Sequence, residues 1–142
     1  MYDSSGAAAA AILGIVVVFL LAFLIVMIFF LISLQKALTL SGAENRDMSP
    51  GLVWLNLIPV FNLGWMIYTV LKVSEAISKK YTAHNVPNPT EGAKTNGLVY
   101  SICSICSLIP FLGGFIALVG LVFFIIYWVN IAGFNKAMQE MV

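Results

Sequence analysis

The fold class this sequence predicts is an all-α integral membrane protein with four transmembrane segments, the second and third broken by proline. Three observations carry that expectation. Of 142 residues, 61% are hydrophobic and only 9% are charged, where an ordinary soluble domain carries about a quarter charged residues. The charges are so sparse that three uncharged stretches remain, Ser4 to Gln35, Met48 to Leu71 and Thr95 to Asn135. Each is long enough to cross a hydrocarbon core, which takes about 20 residues of helix. Finally, Pro59 and Pro110 interrupt the second and third stretches at positions where an unbroken helix does not tolerate them. The chain reads as a single transmembrane domain over 1–142, with spans at about 7–35, 51–72, 97–110 and 113–133 and a polar loop at 81–96.

The first span is about 28 residues of apolar helix, or about 42 Å against a core of about 30 Å, so it must tilt or reach into a neighbour. Its amino-terminal end lacks the cationic flank of a secretory leader and its apolar run is too long for one, which makes it a retained anchor. Gly6, Ala10 and Gly14 recur every four residues along one face. Small residues at that spacing let two helix backbones approach closely in lipid, where apolar contact alone does not favour protein over acyl chains. Gly42 suits a helix terminus, and "GAENRDMSP" is a polar connection ending in Pro50.

The second span contains Pro59, which is expected to kink the helix and to leave the Leu55 carbonyl without its usual donor. Asn56 and Asn62 are the nearby candidates to satisfy it. The helix should continue beyond the membrane as "KVSEAISKKY", where Glu75 and Lys79 form a favourable pair one turn apart. "TAHNVPNPTEGAKTNG" then reads as the one substantial loop.

As a single helix the final uncharged stretch would be about 60 Å long, so it must fold back. Pro110 followed by Gly113 and Gly114 is its strongest breaker. That leaves 97–110 short, and three spans plus a re-entrant segment is the alternative architecture; re-entry requires protein around the broken backbone. Ser101, Ser104 and Ser107 recur every three residues beside Cys103 and Cys106, giving this helix a small, weakly polar side. Gly113, Ala117 and Gly120 do the same for the last helix. Gly6, Ala10, Gly14, Ser101, Ser104, Gly113, Ala117 and Gly120 are therefore the predicted packing or oligomer-interface residues, Pro59 and Pro110 the helix breaks, and Asn56, Asn62 and Ser107 a possible polar lining. Tyr127, Trp128, Trp54, Trp65 and Tyr68 fall where an interfacial aromatic belt belongs, and "NIAGFNKAMQEMV" is expected to lie as an amphipathic tail on the membrane surface.

"GLVWLNLIPVFNLGWMIYTV" and "GLVYSICSICSLIPFLGGFIALVGLVFFIIYWV" share three anchors in one order, GLV with an aromatic, LIP, and IY-x-V. The pattern is compatible with a duplication, though the short copy fits one crossing and the long copy two.

The two cysteines, three apart in "CSIC", invite a redox or metal reading. A redox thiol needs a cation or a helix N-terminus to lower its pKa, and apolar burial does the opposite; zinc wants four ligands, and the only histidine, His84, precedes the segment. Helix packing explains more of these residues. No ionisable residue lies deep in any span, which argues against ion-coupled transport or a proton relay. A net charge of +1 offers nucleic acid no basic surface. Expected, then, is no enzyme, no catalytic residue, no cofactor and no metal. The function expected is a small membrane scaffold or accessory subunit, docking through small-residue helix faces to itself as a homo-oligomer or to other membrane subunits. The alternative is a homo-oligomeric pore or passive transport unit. Localisation is expected in a lipid bilayer, the bacterial inner (plasma) membrane, with both termini cytoplasmic on the balance of Lys and Arg around four spans.

Overall fold

The structure, a computed structural model, describes residues 4–141. Among these residues the chain forms four α-helices, one 3-10 helix and no strand: α1 (Ser4–Ser41), the 3-10 helix η1 (Pro50–Leu57), α2 (Pro59–Ala83), α3 (Thr90–Cys106) and α4 (Gly113–Glu140). α1 and α4 are long and apolar enough to cross a membrane, and only 17% and 22% of their apolar windows are buried within the chain. Core helices of soluble domains hide such windows; these do not. The chain divides into two compact units, Met1–Phe30 and Leu31–Val142. The extreme termini, whose placement the sequence predicts as cytoplasmic, lie outside the described residues.

The first unit consists, in its described part, of the leading portion of α1. A run of Ala, Ile, Leu, Val and Phe, interrupted only by Gly14 and free of Pro, makes it helical, and residues 5–26 are exposed on every face.

The second unit has a core of its own. α2 buries Met66, Val70, Val73, Ile77 and Tyr81, spaced three or four apart as one helical stripe. α4 buries Gly113, Gly120, Phe124, Tyr127, Ile131, Asn135 and Met138 by the same rule. α3 packs against both α2 and α4. Gly97 marks the level where the three meet: a Cβ there would lie 2.8 Å from both the Tyr127 ring and Val70. The last turns of α1 join this core through Leu31, Leu34, Ala37 and Leu38, all fully buried. They are tied to α4 by Asn135, whose Nδ2 donates to the Ser33 carbonyl at 2.9 Å, and by Trp128, whose Nε1 donates to the Ser33 hydroxyl at 2.9 Å. Buried bonds of this kind fix the mutual register of two helices, because a slip leaves polar groups unpaired.

Four local expectations are revised. Pro59 does not kink a continuous helix. The chain stops at Ile58, in extended geometry, and α2 begins with Pro59 in its first turn, where the missing N–H costs nothing. The Leu55 carbonyl accepts from the Ile58 N–H at 3.1 Å rather than from Asn56 or Asn62. At Pro110 the Cys106 carbonyl likewise takes the Ile109 N–H at 3.0 Å.

The loop expected at 81–96 is confined to His84 through Pro89. α2 ends in a paired-turn cap: Asn85 adopts φ 55°, and the Val86 and Asn85 N–H groups return to the Tyr81 and Thr82 carbonyls. α3 starts at Thr90 because Asn88 Oδ1 accepts from both its N–H and its hydroxyl, while Asn88 Nδ2 donates to Ser78 on α2. The carboxyl-terminal tail, finally, is a continuation of α4 docked on the end of α1, with Met138 fully buried and its sulfur accepting from Ser41 at 3.7 Å. It is not a free surface helix.

Candidate functional site

The polar end of the second unit is built by charge. Asp47, in the connection after α1, receives Lys72 and Lys79 at 3.3 Å each, and Glu75 receives the same two lysines at 2.9 Å each. Lys72, Glu75 and Lys79 share a face of α2 because they are spaced three, four and seven apart. Hydrogen bonds from Lys72 and then Lys79 hold the Asp47 carboxyl below its ordinary range; those from Lys79 and then Lys72 do the same for Glu75. A hydrogen bond to Glu75 pushes Lys79 up. Beside this network, a cleft of about 340 Å³ opens between α2 and α3, lined by Ser74, Glu75, Lys79, Thr90, Glu91 and Lys94 among others. Two carboxylates and two ammonium groups leave it without net charge, so it selects no anion or cation by electrostatics.

These ion pairs also revise the topology. Four crossings would put Arg46 and Asp47 on the opposite side of the membrane from Lys72 and Lys79. The salt bridges put Asp47 beside both lysines, so the segment from Pro50 to Leu71 leaves the polar end, reverses at Ile58–Pro59, and comes back to it. η1 lies against the middle of α2, with Asn56 Nδ2 donating to Thr69 Oγ1 at 3.0 Å and Trp65 Nε1 to the Leu52 carbonyl at 2.9 Å. α3 and α4 form the second such hairpin, reversing through Ser107 to Leu112.

The two sequence copies thus share a plan: GLV opens the outgoing arm, LIP makes the reversal, and IY-x-V sits on the returning arm. Gly97 of one GLV meets Val70 and Tyr127 from the two IY-x-V segments. The difference expected between one crossing and two is a difference in arm length.

The predicted site residues are distributed as follows. Gly6, Ala10 and Gly14 are all exposed, and nothing outside its own helix lies within 4 Å of a Cβ placed on Gly14. Gly113 and Gly120 are buried inside the second hairpin, where a Cβ would stand 2.0 Å from the Ser107 carbonyl and 2.9 Å from Cys103 Cβ respectively. Ala117, between them in sequence, faces outward. Ser101 is buried and donates to the Gly97 carbonyl; Ser104 and Ser107 donate to the carbonyls of Tyr100 and Ser104. Serines satisfied by their own helix pack as small residues. Asn56 is 2% exposed and bonded within the unit, and Asn62 is half-buried on the first turn of α2.

Both cysteines are free, and Cys103 serves as the wall against which Gly120 packs. Among the described residues no group of three His, Cys, Asp or Glu side chains comes together. The aromatic belt is likewise turned inward at its nitrogens, since Trp54 donates to Gln35 Oε1 at 2.8 Å and Trp65 and Trp128 donate as given above.

Residues the sequence reading did not single out include Asp47, which ties the connection to α2, and Asn88, which caps α3. A polar residue two before a helix start is a readable capping signal; a partner 25 residues distant for Asp47 is not. Comparison of the chain with protein-family models, curated proteins and solved structures finds no match.

Proposed function

We propose that this chain is a small membrane-embedded scaffold or accessory subunit, presenting the leading half of α1 to a second protein surface within the bilayer. The observation that carries this reading is the full exposure of residues 5–26, next to a second unit that supplies its own core, caps and ion pairs. An apolar helix exposed over this length belongs in lipid or against another helix. Its Gly6, Ala10 and Gly14 face gives the close approach that helix pairs in membranes use. The inner membrane of a bacterium remains the proposed location, with the cationic end of the second unit facing the cytoplasm by the positive-inside rule.

The test is Gly14→Leu. Because a side chain at Gly14 enters open space, the variant should keep the thermal stability of the isolated protein in detergent. It should lose the native particle's extra mass, as read by light scattering after mild extraction. A variant particle of unchanged mass, or a wild-type chain that is monomeric and brings nothing with it, sinks the proposal.

A further inference from the structure

All seven Lys and Arg residues of the chain belong to one end of the second unit. Lys36 lies between Ser33 and Ser41, which bond to the terminal half of α4, where Lys136 also lies. Arg46 donates to the Leu38 carbonyl at 3.0 Å. Lys72 and Lys79 join Asp47, and Lys80 and Lys94 flank the α2–α3 loop. At the opposite end stand the two reversals, residues 57–61 (LIPVF) and 108–112 (LIPFL), which contain no charged residue. Their apolar side chains point away from the protein: Val60 is 83% exposed, Leu108 67% and Phe111 105%.

Three features of these tips fit hydrocarbon and not water. First, much of the backbone of the second reversal bonds to itself. The N–H groups of Ser107, Leu108, Ile109, Leu112 and Gly113 donate to the carbonyls of Cys103, Ile105, Cys106, Pro110 and Ile109. Turns in water make such bonds too, but in lipid they are required, because no water replaces a missing partner. Proline at each tip removes one further donor. Second, Phe111 holds φ 67°, a left-handed conformation that glycine or asparagine adopts more readily. A fully projecting phenyl ring retained at a strained position points to use of the ring itself. Third, three of the four arms are short. η1 has eight residues, and the apolar parts of α2 and α3, from Pro59 to Leu71 and from Thr95 to Cys106, measure about 18 to 20 Å at helical rise against a hydrocarbon core of about 30 Å; α4 alone has the length to cross.

We infer that the second unit enters the bilayer from one face only, as two hairpins whose Leu-Ile-Pro tips are immersed in acyl chains short of the far headgroups. The occupant of this apolar end is lipid hydrocarbon. The inference rests on the membrane-embedded reading above and replaces four crossings with a pair of re-entrant hairpins.

The experiment uses the full chain in sealed vesicles, with Cys103→Ala and Cys106→Ala as background. Single cysteines are introduced by Val60→Cys, Phe111→Cys and Asn88→Cys, all at exposed positions. A membrane-impermeant maleimide should label Asn88→Cys from one face and label neither tip from either face. A nitroxide attached at each tip should collide with oxygen and not with a water-soluble nickel chelate. Labelling of the tips from the face opposite Asn88→Cys overturns the inference in favour of full crossings. Labelling from the same face overturns immersion. Tips silent to maleimide and also shielded from oxygen mean that a second copy or another protein covers them, which overturns lipid as the occupant. An alkaline carbonate wash separates the two proposals: a chain released by it is not membrane-embedded at all, whereas a retained chain with far-face labelling loses only the one-face insertion.

Discussion

Small residues have opposite consequences depending on what lies beyond the missing Cβ. Gly97 sits where α2, α3 and α4 converge, with Tyr127 and Val70 each 2.8 Å from the position of an added methyl. Neither neighbour has free room, since both are fully buried. Gly97→Ala should therefore lower stability by about 1–3 kcal/mol, the usual cost of overpacking a filled core, read as a lower midpoint of thermal unfolding in detergent. Gly14→Ala should leave that midpoint unchanged, because the methyl meets open space. The sequence shows the same kind of stripe at Gly6, Ala10, Gly14 and at Gly113, Ala117, Gly120. Only the fold reveals that Gly113 and Gly120 serve the chain's own hairpin, while Ala117 and the first stripe stay outside. Periodicity tells which residues share a helix face, and says nothing of what that face meets.

Proline positions were legible at the scale of elements, and their geometry was not. Pro59 and Pro110 do interrupt the helices, but Pro59 opens α2 and Pro110 lies inside a six-residue reversal. Pro59→Ala should cost less than about 1 kcal/mol, since a first-turn position tolerates most residues and only the stiffness of the ring is lost. Gly113→Ala should cost more than about 2 kcal/mol, because its Cβ would stand 2.0 Å from the Ser107 carbonyl oxygen and backbone cannot step aside as a side chain does. Unfolding of both variants in one detergent gives the comparison; equal losses would mean that the reversal is looser than described. The extension of α2 through "KVSEAISKKY" was readable from charge spacing. The start of α3 at Thr90 was hidden by a composition rich in Pro, Asn and Gly, and Asn88 Oδ1 resolves it by supplying an acceptor that the first turn lacks.

Across the whole molecule, the Asp47, Lys72, Glu75 and Lys79 network joins the connection after α1 to α2 and so holds the first hairpin closed at its polar end. The folded carboxyl pKa values of Asp47 and Glu75 lie below their ordinary 3.8 and 4.5. A depressed carboxyl contributes stability that is present above its unfolded value and is lost as the pH falls through the folded one. The connection should therefore loosen only below about pH 4, the ordinary carboxyl range, and also at high salt near neutrality, since these groups are solvent-exposed and screened. Hydrogen exchange of the amides at 43–49, corrected for the intrinsic effect of pH, measures it. Protection that holds unchanged at pH 3 would show that packing of Met48 and Val53, not charge, closes the hairpin.

The sequence by itself determined the helical class of this chain, its two helices long and apolar enough to cross a membrane, the places where its helices break, and the lack of an ionisable group deep in any apolar segment. These follow from composition and local stereochemistry, which act within a few residues. Tertiary structure alone decided that two segments fold back as hairpins, that serines and two glycines close one of them, and that the cations gather at one end. Each of these depends on pairs such as Asp47 with Lys79 or Ser33 with Asn135, distant along the chain, and a hydropathy pattern that is the same for a crossing and a re-entrant hairpin does not encode which partner each residue will find.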